Sequence, residues 1–301
     1  MQLQQTLIKD YLFEGKGLHT GKVARMVISP APADTGIVFK RTDLGEGAVV
    51  EALADNVTNT ARSTTISKGE ASVSTIEHVM SALTGMGVDN AVVEIDNVEV
   101  PILDGSAKPY IDAIWKDGFV QQDAPRRYIE IRKPIEVVNE KGSRVLIEPA
   151  EEFSYEIKID FNSRVLGVQY ARWNDSVLYP EEIGTCRTFV FFHELQFLYA
   201  NNLVRGGDVD NAIVIVEHPV TDDQVQAMSS LFNVPALSVR EDGYLSNLVL
   251  RFPNECARHK LLDLIGDLRL AGGFLKAKIT AEKAGHGINT AAARKIRENI
   301  L

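Results

Sequence analysis

Cysteine is scarce in this sequence, which contains only Cys186 and Cys256 among 301 residues. The two are far apart and form no Cys-x-x-Cys pair, which excludes a thiolate zinc site and a disulfide framework. The first residues lack a basic segment followed by an apolar run, so no signal peptide is predicted. No apolar stretch reaches the roughly 18 residues that a membrane-spanning helix needs. We therefore expect a soluble, cytoplasmic protein with no transmembrane segment.

Positive charge is also in short supply, because 32 lysines and arginines stand against 41 aspartates and glutamates and the net charge is −9. A general nucleic-acid-binding protein needs a basic surface, so we expect no nucleic-acid partner. An anionic small ligand stays possible where lysines and arginines are close together. With 45% hydrophobic residues the chain can bury ordinary cores, and its length predicts two domains.

The two halves of the chain contain similar strand-like segments. RMVISPAPAD from Arg25 and RVLIEPAEE from Arg144 both alternate between apolar and other residues and reach a Pro-Ala pair. Helices are predicted at 74–85, with Ser74 as the N-cap, and at 258–273. If the halves are duplicates, these two helices are equivalent, and 187–217 is an insertion that reads as strand, short helix, Gly-Gly turn and strand. Convergent strand endings explain the similarity equally well.

The polar segment DAPRR, 123–127, predicts a linker. The first domain is accordingly expected at 1–123 and the second at 128–301. A strand is predicted at AVVEID and a second helix at KPYIDAIWKDGF, both in the first domain.

The helix at 258–273 carries a polar stripe that points to a metal site. His259 and Asp263 are four residues apart, so their side chains lie one turn apart on one face and can reach a single point. Zinc takes such ligands, and His78 on the equivalent helix is the candidate for a third. Three protein ligands leave a fourth position open, as in catalytic zinc sites. A hydrogen bond on the helix surface is the more frequent explanation of the His–Asp pair alone.

Two further residues are candidates for acid–base chemistry. Glu77 could be a general base, although Ser74 and Glu77 also have the spacing of a capping box, which the spacing alone favours. His286 stands between two glycines and could be a general acid if Asp267, on the same stripe as His259, keeps it protonated. A turn histidine without a role is an equally frequent explanation of His286.

The segment TCRTFVFF adds a possible hydroxyl donor. Thr188 could donate a hydrogen bond to an oxyanion, and Phe189 could line an apolar groove, although a phenylalanine-rich strand is more often core. His19 lies in a glycine-rich turn that matches no phosphate-binding motif.

Six segments of this sequence, taken together, resemble a known family: STIEHVMSAL, VPILDGSA, RTF, GGDVDNAIV, RHKLLDLIGDL and GHGIN. They are similar to segments of the UDP-3-O-acyl-N-acetylglucosamine deacetylases, the zinc enzymes of lipid A synthesis in Gram-negative bacteria. The segments occur in the order found in that family and span nearly the whole chain.

The resemblance implies a role for each matching residue. Zinc would be held by His78, His259 and Asp263. The general base would be Glu77, the catalytic histidine His286, its supporting acid Asp267, and the hydroxyl that polarises the carbonyl Thr188. Phe189 and Lys260 match substrate contacts, Lys283 matches a lysine near the nucleotide phosphates, and Phe161 lies in the segment DFN at the nucleotide end.

The fold implied by the resemblance is α+β. It has two similar domains, each a β-sheet with packed helices, with the helices sandwiched between the two sheets and an insert in each domain. The first insert is small, and the second, the β-α-β segment near 187–217, would form an apolar passage for an acyl chain.

The reaction implied is zinc-dependent hydrolysis of the N-acetyl group of UDP-3-O-(3-hydroxyacyl)-N-acetylglucosamine, which releases acetate and commits the sugar to lipid A biosynthesis. Glu77 would remove a proton from water, Thr188 would stabilise the oxyanion, and His286 would protonate the amine. The expected partner is this small UDP-sugar with its acyl chain. A monomer is expected unless the unit is fused to a dehydratase domain, as in some relatives.

Two other functions are compatible with parts of the sequence. A non-catalytic protein could use the same cleft to bind a nucleotide sugar or an acyl chain. A zinc peptidase is disfavoured because the sequence contains no His-Glu-x-x-His.

Overall fold

The structure is a computed structural model that describes residues 2–200, 205–231, 234 and 236–300. The strands of this part of the chain are β1 Leu3–Leu7, β2 Tyr11–Lys16, β3 Val23–Pro30, β4 Ile37–Arg41, β5 Val49–Glu51, β6 Val57–Asn59, β7 Thr65–Lys68, β8 Ala71–Val73, β9 Ala91–Ile95, β10 Phe119–Pro125, β11 Tyr128–Glu130, β12 Ile135–Val138, β13 Arg144–Pro149, β14 Ser154–Asp160, β15 Val168–Trp173, β16 Phe189–Phe191, β17 Ile213–Ile215 and β18 Phe274–Glu282. The helices are α1 Glu77–Gly85, α2 Lys108–Ile114, α3 Tyr179–Glu182, α4 Phe192–Ala200, α5 Asp222–Leu231, α6 Glu255–Leu268 and α7 His286–Ile300.

The two largest sheets have the same topology. The first has the strand order β2-β3-β9-β4-β5, and its one parallel pair is β9 with β4. The second has the order β12-β13-β18-β14-β15, and there the parallel pair is β18 with β14. Strand β11 adds to the second sheet beside β18. Helix α1 precedes β9 and α6 precedes β18, so the two helices are equivalent and the predicted duplication is confirmed.

The alternating segments that suggested the duplication are β3 and β13, and both end at a proline, Pro30 and Pro149. Every second residue of each strand is buried, as expected for a sheet with one face on the core. A single hydrophobic core contains residues from both sheets and from α1, α6 and α7. The predicted α+β class is therefore confirmed, with helices packed between sheets.

Helices α1 and α6 pack against each other without an intervening layer of side chains. A Cβ atom added to Gly266 on α6 would lie 2.1 Å from the carbonyl oxygen of Glu77 and 3.1 Å from the backbone nitrogen of Ser81, both on α1. A glycine is required at this crossing because any side chain would push the helices apart. The close approach places side chains from the two halves of the molecule next to one another.

The start of α1 differs from the prediction. The helix begins at Glu77 rather than Ser74, and Ile76 is its N-cap without a side-chain hydrogen bond. Ser74 donates its backbone N–H to Val98 instead, and Thr75 turns the chain with a φ of 60°. The capping-box interpretation of Ser74 and Glu77 was therefore wrong, and the Glu77 carboxylate is free for other contacts.

Other predicted elements are partly corrected. The helix predicted at 258–273 begins earlier, at Glu255, and ends at Leu268. The segment KPYIDAIWKDGF is helical only to Ile114, because a 3-10 turn follows and Phe119 already begins β10. Residues 123–125 of the predicted linker lie in β10, which pairs with β1. The domain boundary between 123 and 128 stays a prediction.

Each half carries an insert between its fourth sheet strand and its long helix. In the first half the insert is the three-stranded sheet β6-β7-β8. In the second half β16, α4, a turn at Gly206 and β17 follow the predicted order, and 201–204 of that segment lie outside the described residues. Strands β16 and β17 are parallel, and α5, which was not predicted, covers a small separate hydrophobic core of the insert. Among the helices that the structure describes, none is both long and apolar enough to cross a membrane.

Candidate metal centre and active site

The close crossing of α1 and α6 brings the three predicted metal ligands together. The Nε2 atoms of His78 and His259 lie 3.6 Å and 3.4 Å from Oδ1 of Asp263. One ligand atom from each of the three residues lies within 4.8 Å of the others. All three side chains are buried, and the imidazole rings are nearly perpendicular with centroids 5.0 Å apart. Residues of α1 and α6, which are far apart in the sequence, thus meet in one cluster.

Contacts behind the cluster orient two of these side chains. The Nδ1 atom of His259 lies 3.0 Å from the backbone carbonyl of Cys186, which can only accept, so Nδ1 carries the proton and Nε2 offers its lone pair. Burial lowers the pKa of His259 to about 3, which keeps the ring neutral. Lys260 donates to Oδ2 of Asp263 at 2.8 Å. Burial opposes ionisation of Asp263, but the Lys260 ammonium holds the pKa of Asp263 well below its usual value.

The remaining oxygen of Asp263 is the sign that the cluster fits a cation. Oδ1 is buried and has no hydrogen-bond partner. An unsatisfied buried carboxylate oxygen is costly, and it lies here beside two imidazole nitrogens. Two imidazoles and a carboxylate are a donor set that zinc prefers. The residues present therefore fit a divalent metal ion.

Glu77 is placed to act beside that cluster. Its carboxylate is buried, and Oε2 accepts the backbone N–H of Thr64 at 3.0 Å. The other oxygen, Oε1, lies 3.9 Å from Nε2 of His286. Burial raises the pKa of Glu77, although His286 and His78 oppose the shift. A raised pKa makes this carboxylate a stronger base than an exposed one.

His286 forms a buried dyad with Asp267. Its Nδ1 donates to Oδ2 of Asp267 at 2.9 Å. The same oxygen accepts from Asn289, and Oδ1 accepts the hydroxyl of Thr64 at 2.6 Å. Burial alone would lower the pKa of His286, but the carboxylates of Asp267 and Glu77 raise it to about 9. The imidazole is therefore protonated at neutral pH and carries a proton that Nε2 can give to a substrate.

A cavity of about 280 Å³ opens onto these groups. Its polar end is lined by the metal cluster together with Glu77 and His286. It continues between β16, α4 and β17, where the lining is apolar: Phe191, Leu195, Leu198 and Val214. A site with a few convergent polar groups and an apolar extension is the usual form of a ligand pocket.

Most of the other predicted site residues line this cavity. Thr188 does so from the position directly before β16, where its backbone hydrogen bonds to Gly105 and Ile213 fix it. The Lys260 ammonium lies 5.6 Å from the centre of the Phe189 ring, and Phe161 stacks edge-on against Phe189 at 5.5 Å. Lys283 is not among the lining residues. It is half exposed and pairs with Asp160 at 3.2 Å, next to Phe161.

Several residues with a part in the site were not predicted. Asn289 is three residues after His286 on α7, a spacing that could have indicated it. Thr64 and the carbonyl of Cys186 carry no sequence signal, because their partners are distant along the chain. His19 also lines the cavity, although its turn matches no phosphate-binding motif.

Comparison with known proteins adds independent information. A model of the family described as UDP-3-O-acyl N-acetylglycosamine deacetylase matches residues 4–232 and 227–298. The chain is 46% identical over 301 residues to the bifunctional enzyme LpxC/FabZ of Porphyromonas gingivalis, covering all of this chain and 65% of that protein. It is 40% identical to the protein of the same name from Bacteroides thetaiotaomicron, again over 65% of the relative. The UDP-3-O-acyl-N-acetylglucosamine deacetylase of Teredinibacter turnerae is 38% identical over 97% of this chain and 89% of its own length.

Proposed function

Because the chain belongs to the UDP-3-O-acyl N-acetylglycosamine deacetylase family, we propose that it hydrolyses the N-acetyl group of UDP-3-O-(3-hydroxyacyl)-N-acetylglucosamine. Acetate would be released, and the free amine would be committed to lipid A biosynthesis. The observation that supports this most directly is the buried cluster of His78, His259 and Asp263 beside Glu77 and His286 on one cavity. The cytoplasm is the proposed location, as the sequence predicts.

The proposed metal is zinc, held by the two imidazoles and by Oδ1 of Asp263. A bound zinc ion would lower the pKa of a water molecule and polarise the carbonyl of the N-acetyl group. The neutral state of His259 and the ionised state of Asp263 support this assignment, since metal ligands must be deprotonated.

The proton transfers are assigned to the two flanking groups. Glu77 accepts a proton from the attacking water at Oε1, because Oε2 is occupied by the Thr64 N–H. Thr188 donates its hydroxyl to the oxygen that becomes negative. His286 gives its Nε2 proton to the departing amine, and Asp267 keeps the imidazole oriented and charged until then.

The substrate is proposed to lie along the cavity with its acyl chain in the apolar part between β16, α4 and β17. Phe189 and Lys260 would contact the sugar end. Lys283 pairs with Asp160, the residue that precedes Phe161 in the chain. We assign Phe161 and Lys283 to the nucleotide end. The ammonium of Lys283 offers the positive charge that a diphosphate needs.

The chain spans about 65% of the length of the two bifunctional relatives named above. The proposal concerns the deacetylase reaction only. The second activity named in those relatives is theirs and is not assigned to this chain.

The experiment that tests the proposal is the substitution Glu77→Gln in the zinc-loaded protein, with acetate release as the readout. We expect kcat to fall at least about 10²-fold, as for loss of a general base, while one zinc per chain is retained. The matched control is Glu70→Gln, an exposed glutamate in the turn between β7 and β8, which should behave as the wild type.

Two outcomes would contradict the proposal. Near-wild-type turnover in Glu77→Gln would show that Glu77 is not the general base. A wild-type protein that binds the UDP-sugar equally well with and without a chelator, and releases no acetate, would be a non-catalytic binding protein.

A further inference from the structure

Among the residues that the structure describes, Thr64 alone hydrogen-bonds to both acidic groups that flank the metal cluster, Glu77 and Asp267. Its backbone N–H donates to Oε2 of Glu77 at 3.0 Å, and its hydroxyl donates to Oδ1 of Asp267 at 2.6 Å. We propose that Thr64 is a positioning residue for the proposed deacetylation, which fixes the general base and the acid dyad relative to each other. The inference rests on the proposed function and adds to it a residue outside the substrate cavity.

The two bonds determine which carboxylate oxygens are available for proton transfer. With Oε2 of Glu77 occupied by Thr64, Oε1 is the oxygen that faces Nε2 of His286 at 3.9 Å. With Oδ1 of Asp267 occupied, Oδ2 is the oxygen that holds Nδ1 of His286. Both carboxylates are buried, so they cannot be held in place by bulk water.

The hydrogen bond from Thr64 to Asp267 joins the two halves of the molecule. It lies in the insert of the first half, directly before β7, whereas Asp267 lies on α6 of the second half, 203 residues further along the chain. The hydroxyl thus connects the strand that supports Glu77 to the helix that supports His286. A shift of one half relative to the other would lengthen this bond of 2.6 Å.

Thr64 itself cannot contact substrate. Its exposed fraction is 0%, and it is not among the residues that line the cavity. A substitution of its hydroxyl should therefore change kcat and leave KM nearly unchanged. Because the bond to Glu77 comes from the backbone, the substitution Thr64→Val deletes the bond to Asp267 and keeps the bond to Glu77.

The test compares the wild type with Thr64→Val, Thr64→Ser and Thr84→Val, each loaded with zinc. Thr84 is the matched control, since it is also buried and its hydroxyl donates to the carbonyl of Met80 within α1, away from both carboxylates. We expect Thr64→Val to lower kcat roughly 10- to 100-fold, the range for loss of a hydrogen bond to a charged group, with KM within about twofold. Thr64→Ser keeps the hydroxyl and should restore kcat, and Thr84→Val should not lower it.

A second readout does not depend on turnover. NMR titration of the His286 ring should show a higher pKa in Thr64→Val, because Asp267 then shares its negative charge with one donor fewer. Glu77 and Asp263 also act on His286, and neither is altered in this variant. If Thr64→Val does not fold, the wild-type protein still tests the inference. For a hydrogen bond of 2.6 Å to Asp267, the hydroxyl proton of Thr64 should exchange slowly with solvent in an NMR experiment.

The outcomes separate this inference from the proposed function. A wild-type protein without acetate release would contradict the proposed function, and the NMR comparison would still test the role of Thr64. An active wild type whose Thr64→Val variant has unchanged kcat and an unchanged His286 titration would overturn the inference. So would a Thr64 hydroxyl proton in fast exchange with solvent.

Discussion

The close crossing of α1 and α6 at Gly266 leads us to predict how a substitution there changes stability and zinc affinity. The substitution Gly266→Ala would place a methyl group 2.1 Å from the backbone carbonyl of Glu77, whereas real Cβ contacts are essentially never below 3.0 Å. The obstacle is main chain, which cannot rotate away. The two helices must therefore separate locally by about 1 Å, since a packed interior offers no free space.

The cost can be estimated from two opposing terms. Overpacking of a well-packed core costs about 1–3 kcal/mol, and backbone obstacles belong at the upper end of that range. Replacing glycine by alanine within a helix gains about 1 kcal/mol of helix propensity. We expect Gly266→Ala to lower the free energy of unfolding by about 2 kcal/mol. The separation also moves His78 away from His259 and Asp263, so zinc affinity and turnover should fall, the latter by about 10²-fold for a displacement of this size.

Three measurements check this prediction: denaturant unfolding, zinc titration and acetate release. The control is Gly47→Ala, because Gly47 lies in an exposed turn with no heavy atom within 4 Å of an added Cβ, so that variant should keep wild-type zinc affinity. A Gly266→Ala protein with wild-type stability and wild-type zinc affinity would refute the claim that this crossing sets the metal geometry. Lost stability with unchanged zinc affinity would refute the coupling between the two.

Three further predictions concern buried charges. Zinc at 100 times its Kd should stabilise the protein by about 2.7 kcal/mol, measured as a rise in Tm that a chelator reverses, and Asp263→Ala should abolish the rise; a zinc effect that survives this change would contradict the ligand assignment. Because the pKa of His286 is raised to about 9 in the folded protein, its contribution to stability is complete below its unfolded pKa near 6.5 and is lost as the pH rises through about 9. Asp267→Asn should accordingly move the basic limb of the kcat profile to lower pH, and an unmoved limb would exclude His286 as the acid. Glu255→Gln should cost about 3–5 kcal/mol in denaturant unfolding because it leaves Arg187 buried without its charged partner at 2.9 Å, and a cost under about 1 kcal/mol would contradict the claim that Arg187 depends on this partner.

The cluster of proposed metal ligands could be predicted because its signal is local. His259 and Asp263 are one helical turn apart, and His78 follows once two similar segments identify α1 and α6 as equivalent. Glu77 was ambiguous for the same reason, since local spacing favoured a capping box. Only the left-handed φ of Thr75 and the bond from Thr64 show that the carboxylate points to the site.

The rest of the site depends on contacts without a local pattern. The carbonyl of Cys186 orients His259 across 73 residues, and Thr64 reaches Asp267 across 203. Any residue has a carbonyl, and threonine is common in strands, so neither residue type carries information about its partner. The strand alternation and the helix periodicity, by contrast, repeat along each element and could predict individual strands and helices.

The contacts that assemble the site are also the contacts that join the two halves of the molecule. Three pairs in the site take one member from either half: His78 with Asp263, His286 with Glu77, and Thr64 with Asp267. Neither sheet with its own helix could form any of these pairs alone. Because α1 and α6 meet backbone to backbone at Gly266, a displacement between the sheets cannot be absorbed by side-chain rotation. Metal binding and the contact between His286 and Glu77 should therefore be lost together whenever the halves separate, even where each half stays folded.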